Sequence, residues 1–164
     1  MKSSFFFRFA SIACALLLVG CNVFDSDTEV QPLDFEKMHA QYEKYGGWIN
    51  KSSLEIQSSG EATAKVLAHG DREVLQKKTS TLTELQKDEL ARSFALFQSF
   101  DRYYKPEEYR TDQNYHTLTL SYEERTDTVT VYDPANASLP EELNRLISDV
   151  EKLHQSVLHE DSKN

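Results

Sequence analysis

Only two cysteines occur in the 164 residues, Cys14 and Cys21, and none follows position 21. The rest of the chain therefore has no disulfide framework, no cysteine metal cage and no thiol nucleophile. Glycine is scarce too: Gly20, Gly46, Gly47, Gly60 and Gly70 all lie in the first half. That leaves no phosphate-cradling loop, no dinucleotide fingerprint and no GxSxG elbow. Positive charge is outnumbered, with 18 lysines and arginines against 27 aspartates and glutamates, for a net charge of −9. Such a surface repels phosphate backbones and lacks the counterion release that drives general nucleic-acid binding, which argues against a nucleic-acid partner. Anionic lipid headgroups would repel it as well, so membrane attachment needs something other than a basic patch.

The five histidines, His39, His69, His116, His154 and His159, form no HExxH pair. His154 and His159 are five apart and fall on different helix faces, so all five read as surface residues rather than metal ligands. Carboxylates are plentiful, yet Glu107-Glu108, Glu123-Glu124 and Glu141-Glu142 fit a loop, a turn and a first helical turn, the last favoured by the helix dipole. Asn50-Lys51-Ser52 and Asn136-Ala137-Ser138 match the eukaryotic glycosylation sequon, a three-residue pattern that carries no weight by itself. No catalytic residue, metal or cofactor emerges.

What is present begins with the amino-terminal segment. Lys2 and Arg8 supply a positive end, Phe9 to Val19 an apolar stretch, and Gly20 a small residue beside a break. The apolar stretch is shorter than the roughly 20 residues of a spanning helix, and the acidic CNVFDSDTEVQP follows it, so export fits better than insertion.

Leu18-Val19-Gly20-Cys21 resembles the lipobox of bacterial lipoproteins. The resemblance implies a signal peptide over residues 1–20, cleavage after Gly20, and a diacylglycerol thioether on Cys21 with further acylation, palmitate included, of the new amino terminus. Two or three acyl chains would hold a protein on a bilayer where one would only visit it. Cys14 is a poorer acceptor because cleavage there would cut the apolar run in half. Asn22 in place of aspartate leans, by the same resemblance, toward the outer membrane in a cell that has one. The expected location is the bacterial cell envelope, with the membrane itself as first partner.

Residues 21–32 read as an acidic tether. Asp25, Asp27, Glu29 and Glu36 superficially copy a calcium loop, but Val30 stands where an EF-hand needs glycine and Pro32 follows. One domain is expected over residues 33–158, long enough to bury a core, with a disordered tail at 159–164.

Within the domain, Phe35, Met38, Tyr42 and Tyr45 recur at helical spacing and predict a helix over Asp34 to Tyr45. Gly46-Gly47 would stop it, with Trp48 and Ile49 locking the connection onto the core. SSLEIQS and EATAKVLAH predict a hairpin about Ser59-Gly60, and REVLQKKTSTLTEL a third strand ending near Leu85, although its LQKK portion fits a helix equally well. Gln86 to Gln98 predicts a helix carrying Leu90, Phe94 and Phe97 on one face. YHTLTLSY and DTVTVYD predict the clearest hairpin, turned by EERT. Ser138 and Glu141 at capping-box spacing, with Pro140 in the first turn, open a final helix striped by Leu143, Leu146, Ile147, Val150, Leu153 and Val157. The expected fold is α+β, a mainly antiparallel sheet of about five strands with two to three helices packed on one face.

FALFQSFDRYYKPEEYRTDQNYHTLTLSYEERTDTVTVYDPANASLPEELNRLISDVEKL is similar to the second half of small uncharacterised lipoprotein domains of Bacteroidetes type. The likeness, over Ser53 to Leu158, is one of pattern and implies no catalytic residue.

The densest aromatic cluster in irregular sequence is Phe100, Tyr103, Tyr104, Tyr109 and Tyr115. Loop aromatics usually pin a segment to its sheet, but an exposed cluster would make a contact surface. The expected function is a non-enzymatic, membrane-tethered binding domain whose partner is an envelope protein or cell-wall component. A hydrolase using a carboxylate pair formed in the fold, and an inhibitor or immunity-type protein, are the alternatives.

Overall fold

The computed structural model describes residues 30–46, 49–69, 73–108, 114–135 and 137–159; Gly20, Cys21, Trp48 and Tyr109 and the tail at 160–164 lie outside them. A short 3-10 turn, Phe35–Lys37, leads into β1, Met38–Tyr45. There follow β2, Lys51–Ile56, β3, Glu61–Leu67, and β4, Val74–Thr81. Helix α1 spans Glu84–Ser93 and continues as a 3-10 helix, Phe94–Ser99. The two-residue β5, Tyr103–Tyr104, precedes β6, Tyr115–Tyr122, and β7, Arg125–Tyr132, and α2, Glu141–His159, closes the domain.

The fold is α+β. The sheet has seven strands in the order β4-β3-β2-β1-β6-β7-β5, all neighbours antiparallel except β5 and β7, which run parallel. The expected sheet of about five strands is thus too small by two, β1 and β5. Phe100 to Tyr115 is not wholly irregular, because Tyr103 and Tyr104 pair with Thr130 and Val131 as an edge strand.

The larger correction is β1. Its Phe35/Met38/Tyr42/Tyr45 spacing suits a helix, yet Met38, Ala40 and Tyr42 also alternate, and these three are the buried ones. Ladder bonds from β2 on one side and β6 on the other make β1 the central strand, and this outweighs the helix preference of its Met, Ala, Gln, Glu and Lys. Ile49, expected to lock the next connection, is exposed.

Alternation decides the two faces of the sheet. Met38, Ala40, Tyr42, Leu54, Ile56, Ala62, Ala64, Leu118, Leu120, Val129 and Val131 point toward the helices and share one core with them. Small Ala62 and Ala64 accommodate α2, whose full expected apolar stripe is buried, together with Leu158. Each such leucine contributes about 1.5–3 kcal/mol on burial. Helix α1 adds Leu90, and its 3-10 extension adds Phe94 and Phe97. Thr83 and Gln86 form a capping box that fixes where α1 starts. The opposite face carries Thr, Ser, Glu, Lys and Tyr and no helix among the described residues covers it; Thr119–Thr128, Ser121–Thr126 and Thr63–Thr79 hydroxyl pairs lace its strands.

Turn chemistry holds the register. Glu123-Glu124 joins β6 to β7 without glycine, so Glu123 adopts a left-handed backbone, φ 55°. Its N–H donates to the Lys37 carbonyl and its carboxylate pairs with Lys37 Nζ at 3.2 Å.

Candidate functional site

The aromatic residues expected to form a contact surface divide by strand parity. Tyr103 faces away from the helices and is 69% exposed, the most exposed large apolar side chain among the described residues. Tyr104 points the other way and packs on the core, its hydroxyl oxygen accepting from Asp101 N–H at 2.9 Å. Phe100 also packs on the core, edge-on to Phe97. Both are half-buried, in contrast to Tyr103.

Tyr115 lies on the open face, where the register sets it between Tyr45 of β1 and Tyr132 of β7. Tyr45 and Tyr115 stack with centroids 5.1 Å apart, and Tyr115 meets Tyr132 edge-on at 4.8 Å. Lys51 extends the row onto β2, its ammonium 6.0 Å from the Tyr45 centroid. Tyr103 stands beyond the other end, opposite Thr130, two residues before Tyr132 on β7. A recess of about 190 Å³ beside it is lined by Arg102, Tyr103, Thr126, Asp127, Thr128 and Thr130. Tyrosine rings beside threonine hydroxyls offer apolar contact area with hydrogen-bonding groups at its rim, the usual make-up of a recognition surface.

On the helix-facing side sits a second grouping that spacing alone does not reveal. Tyr42 and Lys44 of β1, His116 of β6 and Glu151 of α2 meet through their side chains. The Tyr42 hydroxyl lies 3.0 Å from Glu151 Oε1 and 3.2 Å from His116 Nδ1, and Lys44 Nζ reaches the same carboxylate oxygen at 2.8 Å. Burial pushes the Glu151 pKa up, but the hydrogen bonds from Lys44 and Tyr42 and the Lys44 charge outweigh it, and the carboxyl is held below its ordinary value. Burial lowers His116 to about 4 against the opposing pull of Glu151, and it raises Tyr42, reinforced by the same carboxylate. The group therefore holds an ionised Glu151, bound by Lys44, with a neutral tyrosine and imidazole. Because the single phenol proton is given to Glu151, His116 carries its own on Nδ1 and donates to the Tyr42 oxygen.

His116 and His154 are buried, not on the surface as expected. The signal was available: His116 alternates with Leu118 and Leu120, and His154 falls within the α2 stripe. His154 Nε2 lies 3.2 Å from the Lys65 carbonyl, and burial lowers its pKa. Among the described residues no three His, Cys, Asp or Glu side chains converge as a metal site, and no helix is long and apolar enough to cross a membrane.

An open groove of about 650 Å³ lies between α1 and α2. Its carboxylates Glu89, Glu142 and Asp149 are interleaved with Arg92, Arg145 and Lys152, and Asp149 pairs with Lys152 at 3.3 Å. No protein-family model matches the chain, and no curated protein is significantly similar to it.

Proposed function

We propose that this chain is a lipid-anchored protein of the bacterial envelope whose α+β domain is a non-enzymatic binding module. The observation that carries the binding part is the tyrosine row of the open sheet face, Tyr45-Tyr115-Tyr132, ending at Tyr103 and its threonine-lined recess. The anchor rests on Leu18-Val19-Gly20-Cys21 and the acidic stretch after it. Cys21 takes the diacylglycerol, residues 21–32 space the domain from the bilayer, and the outer membrane is the favoured site where there is one. The partner is an envelope protein or a cell-wall component.

Radiolabelled palmitate supplied to expressing cells should label the wild type and leave Cys21→Ala unlabelled and released from membranes. Equal labelling of both would sink the anchor. Affinity capture after crosslinking in intact envelopes should recover a partner that Tyr103→Ala loses at unchanged melting temperature. Capture that survives alanine at both Tyr103 and Tyr115 would remove the open face as the contact.

A further inference from the structure

The two edges of the sheet differ. On the β7 side, β5 covers Thr130 and Val131. On the other side β4 is the last strand, and among the described residues nothing pairs with its outer edge. A register irregularity lies where Val66 pairs with Gln76 but Leu67 with Val74, so Leu75 is an extra residue bulged out of the ladder. Beyond it, Gln76 to Thr81 runs in unbroken register with β3. This straight piece presents the N–H and C=O groups of alternate residues to solvent, the template that strand addition uses.

The side chains along this edge select the occupant. Lys77 stands on the open face opposite Lys65 of β3, and Lys78 on the helix-facing side opposite Ala64. On a chain of net charge −9, no ion pair among the described residues uses Lys65, Lys77 or Lys78. A second copy is a poor occupant. Antiparallel self-pairing of one edge joins residues of the same parity, so centred on Gln76 to Thr81 it would set Lys78 of each strand opposite or diagonally beside Lys78 of the other, and like charges at such positions repel. An incoming strand with two adjacent carboxylates satisfies both lysines, because successive side chains of a strand point to opposite faces as Lys77 and Lys78 do. Val74 and Leu75, 54% and 51% exposed, provide apolar contact at the bulged end.

We propose that the β4 edge, Gln76 to Thr81, is a strand-addition site for an extended acidic segment of a partner protein, with consecutive carboxylates set against Lys77 and Lys78. This goes beyond the binding-module reading, names a surface distinct from the tyrosine row, and does not depend on Cys21.

The test uses the full chain and a synthetic peptide, Thr-Val-Glu-Glu-Val-Thr, read by fluorescence anisotropy and amide hydrogen exchange. The expected result is salt-sensitive binding with new protection confined to β4, weakened at least about tenfold in K77E/K78E, since two charge pairs become repulsive. A backbone N-methylated copy of the peptide should not bind. Lys77 is exposed and Lys78 half-buried on the helix-facing side, so K77E alone, which should keep the wild-type melting temperature and still weaken binding, accompanies the double variant. Absence of binding, equal binding of the N-methylated peptide, protection away from β4, or dimerisation of the unliganded chain through β4 would each overturn the proposal. The palmitate result leaves it untouched, and loss of peptide binding leaves the tyrosine row untouched.

Discussion

The Tyr42 hydroxyl and the Glu151 carboxylate, 3.0 Å apart, join the central strand to the last helix. Removing the phenol oxygen leaves His116 Nδ1 without its acceptor in a buried setting. Tyr42→Phe should therefore destabilise the domain by about 1–3 kcal/mol. Glu151→Gln should cost a similar amount, and the double variant less than the sum, because both act on one network. Urea unfolding of the four proteins measures the coupling; strict additivity would show that the two groups act independently.

The same network sets a pH dependence. His116 is lowered to about 4 in the folded chain, against 6.5 when unfolded, so the unfolded chain binds the extra proton between these values. Its contribution is complete above pH ~6.5 and is lost as the pH falls toward ~4, by about 3 kcal/mol in all. Buried His154, also lowered, acts in the same direction. Glu151, a depressed carboxylate, contributes above its ordinary value of 4.5 and loses that as the pH falls through its folded value. All three slopes have one sign, so stability should fall on acidification. Urea midpoints across this window should drop less steeply in His116→Gln than in the wild type. Parallel curves would assign the dependence to other groups.

Gly60 turns the β2–β3 hairpin with φ +87°, its N–H donating to the Gln57 carbonyl and its own carbonyl accepting from Leu82 N–H. A Cβ there would approach Lys87 Cε to 2.5 Å. The lysine tip can swing aside, but the left-handed backbone remains. Gly60→Ala should cost about 1–2 kcal/mol, and Gly60→Asn, which tolerates that region better, should cost less. Thermal melts of the pair separate backbone strain from crowding.

Tyr103 and Tyr104 are neighbours on one strand with opposite surroundings. Tyr103→Ala should leave stability within about 0.5 kcal/mol of wild type. Phe100→Ala and Tyr104→Ala, which strip rings packed on the core, should each cost about 2–4 kcal/mol. Denaturant titration gives the ranking, and a large loss at Tyr103 would mean that its ring supports the sheet.

Most of the fold could be read from periodicity. The β6–β7 hairpin, the α2 stripe and the β2–β3 hairpin each show one period without a rival. β1 failed because two periods coexist in Met38–Tyr45, and only the arrival of β6, far along the chain, decides between them. β5 is two residues long and owes its existence to its pairing with β7, which leaves no local signature. The same limit hid the tyrosine row: Tyr45, Tyr115 and Tyr132 are distant in sequence and become adjacent only through register. Phe100, Tyr103 and Tyr104 cluster in sequence, and clustering does not reveal which way a ring points.

The central place of β1 also bears on the order of assembly. β1 to β4 is a meander whose pairings are all between successive strands, whereas β1 meets β6 across most of the domain. Closing that long loop carries the larger entropic cost, so local contacts form first and docking of the β6–β7 hairpin comes late. Until then Met38, Ala40 and Tyr42 border a bare backbone edge in the middle of the future sheet. The interval before β6 docks is when this chain is most exposed to mispairing with another.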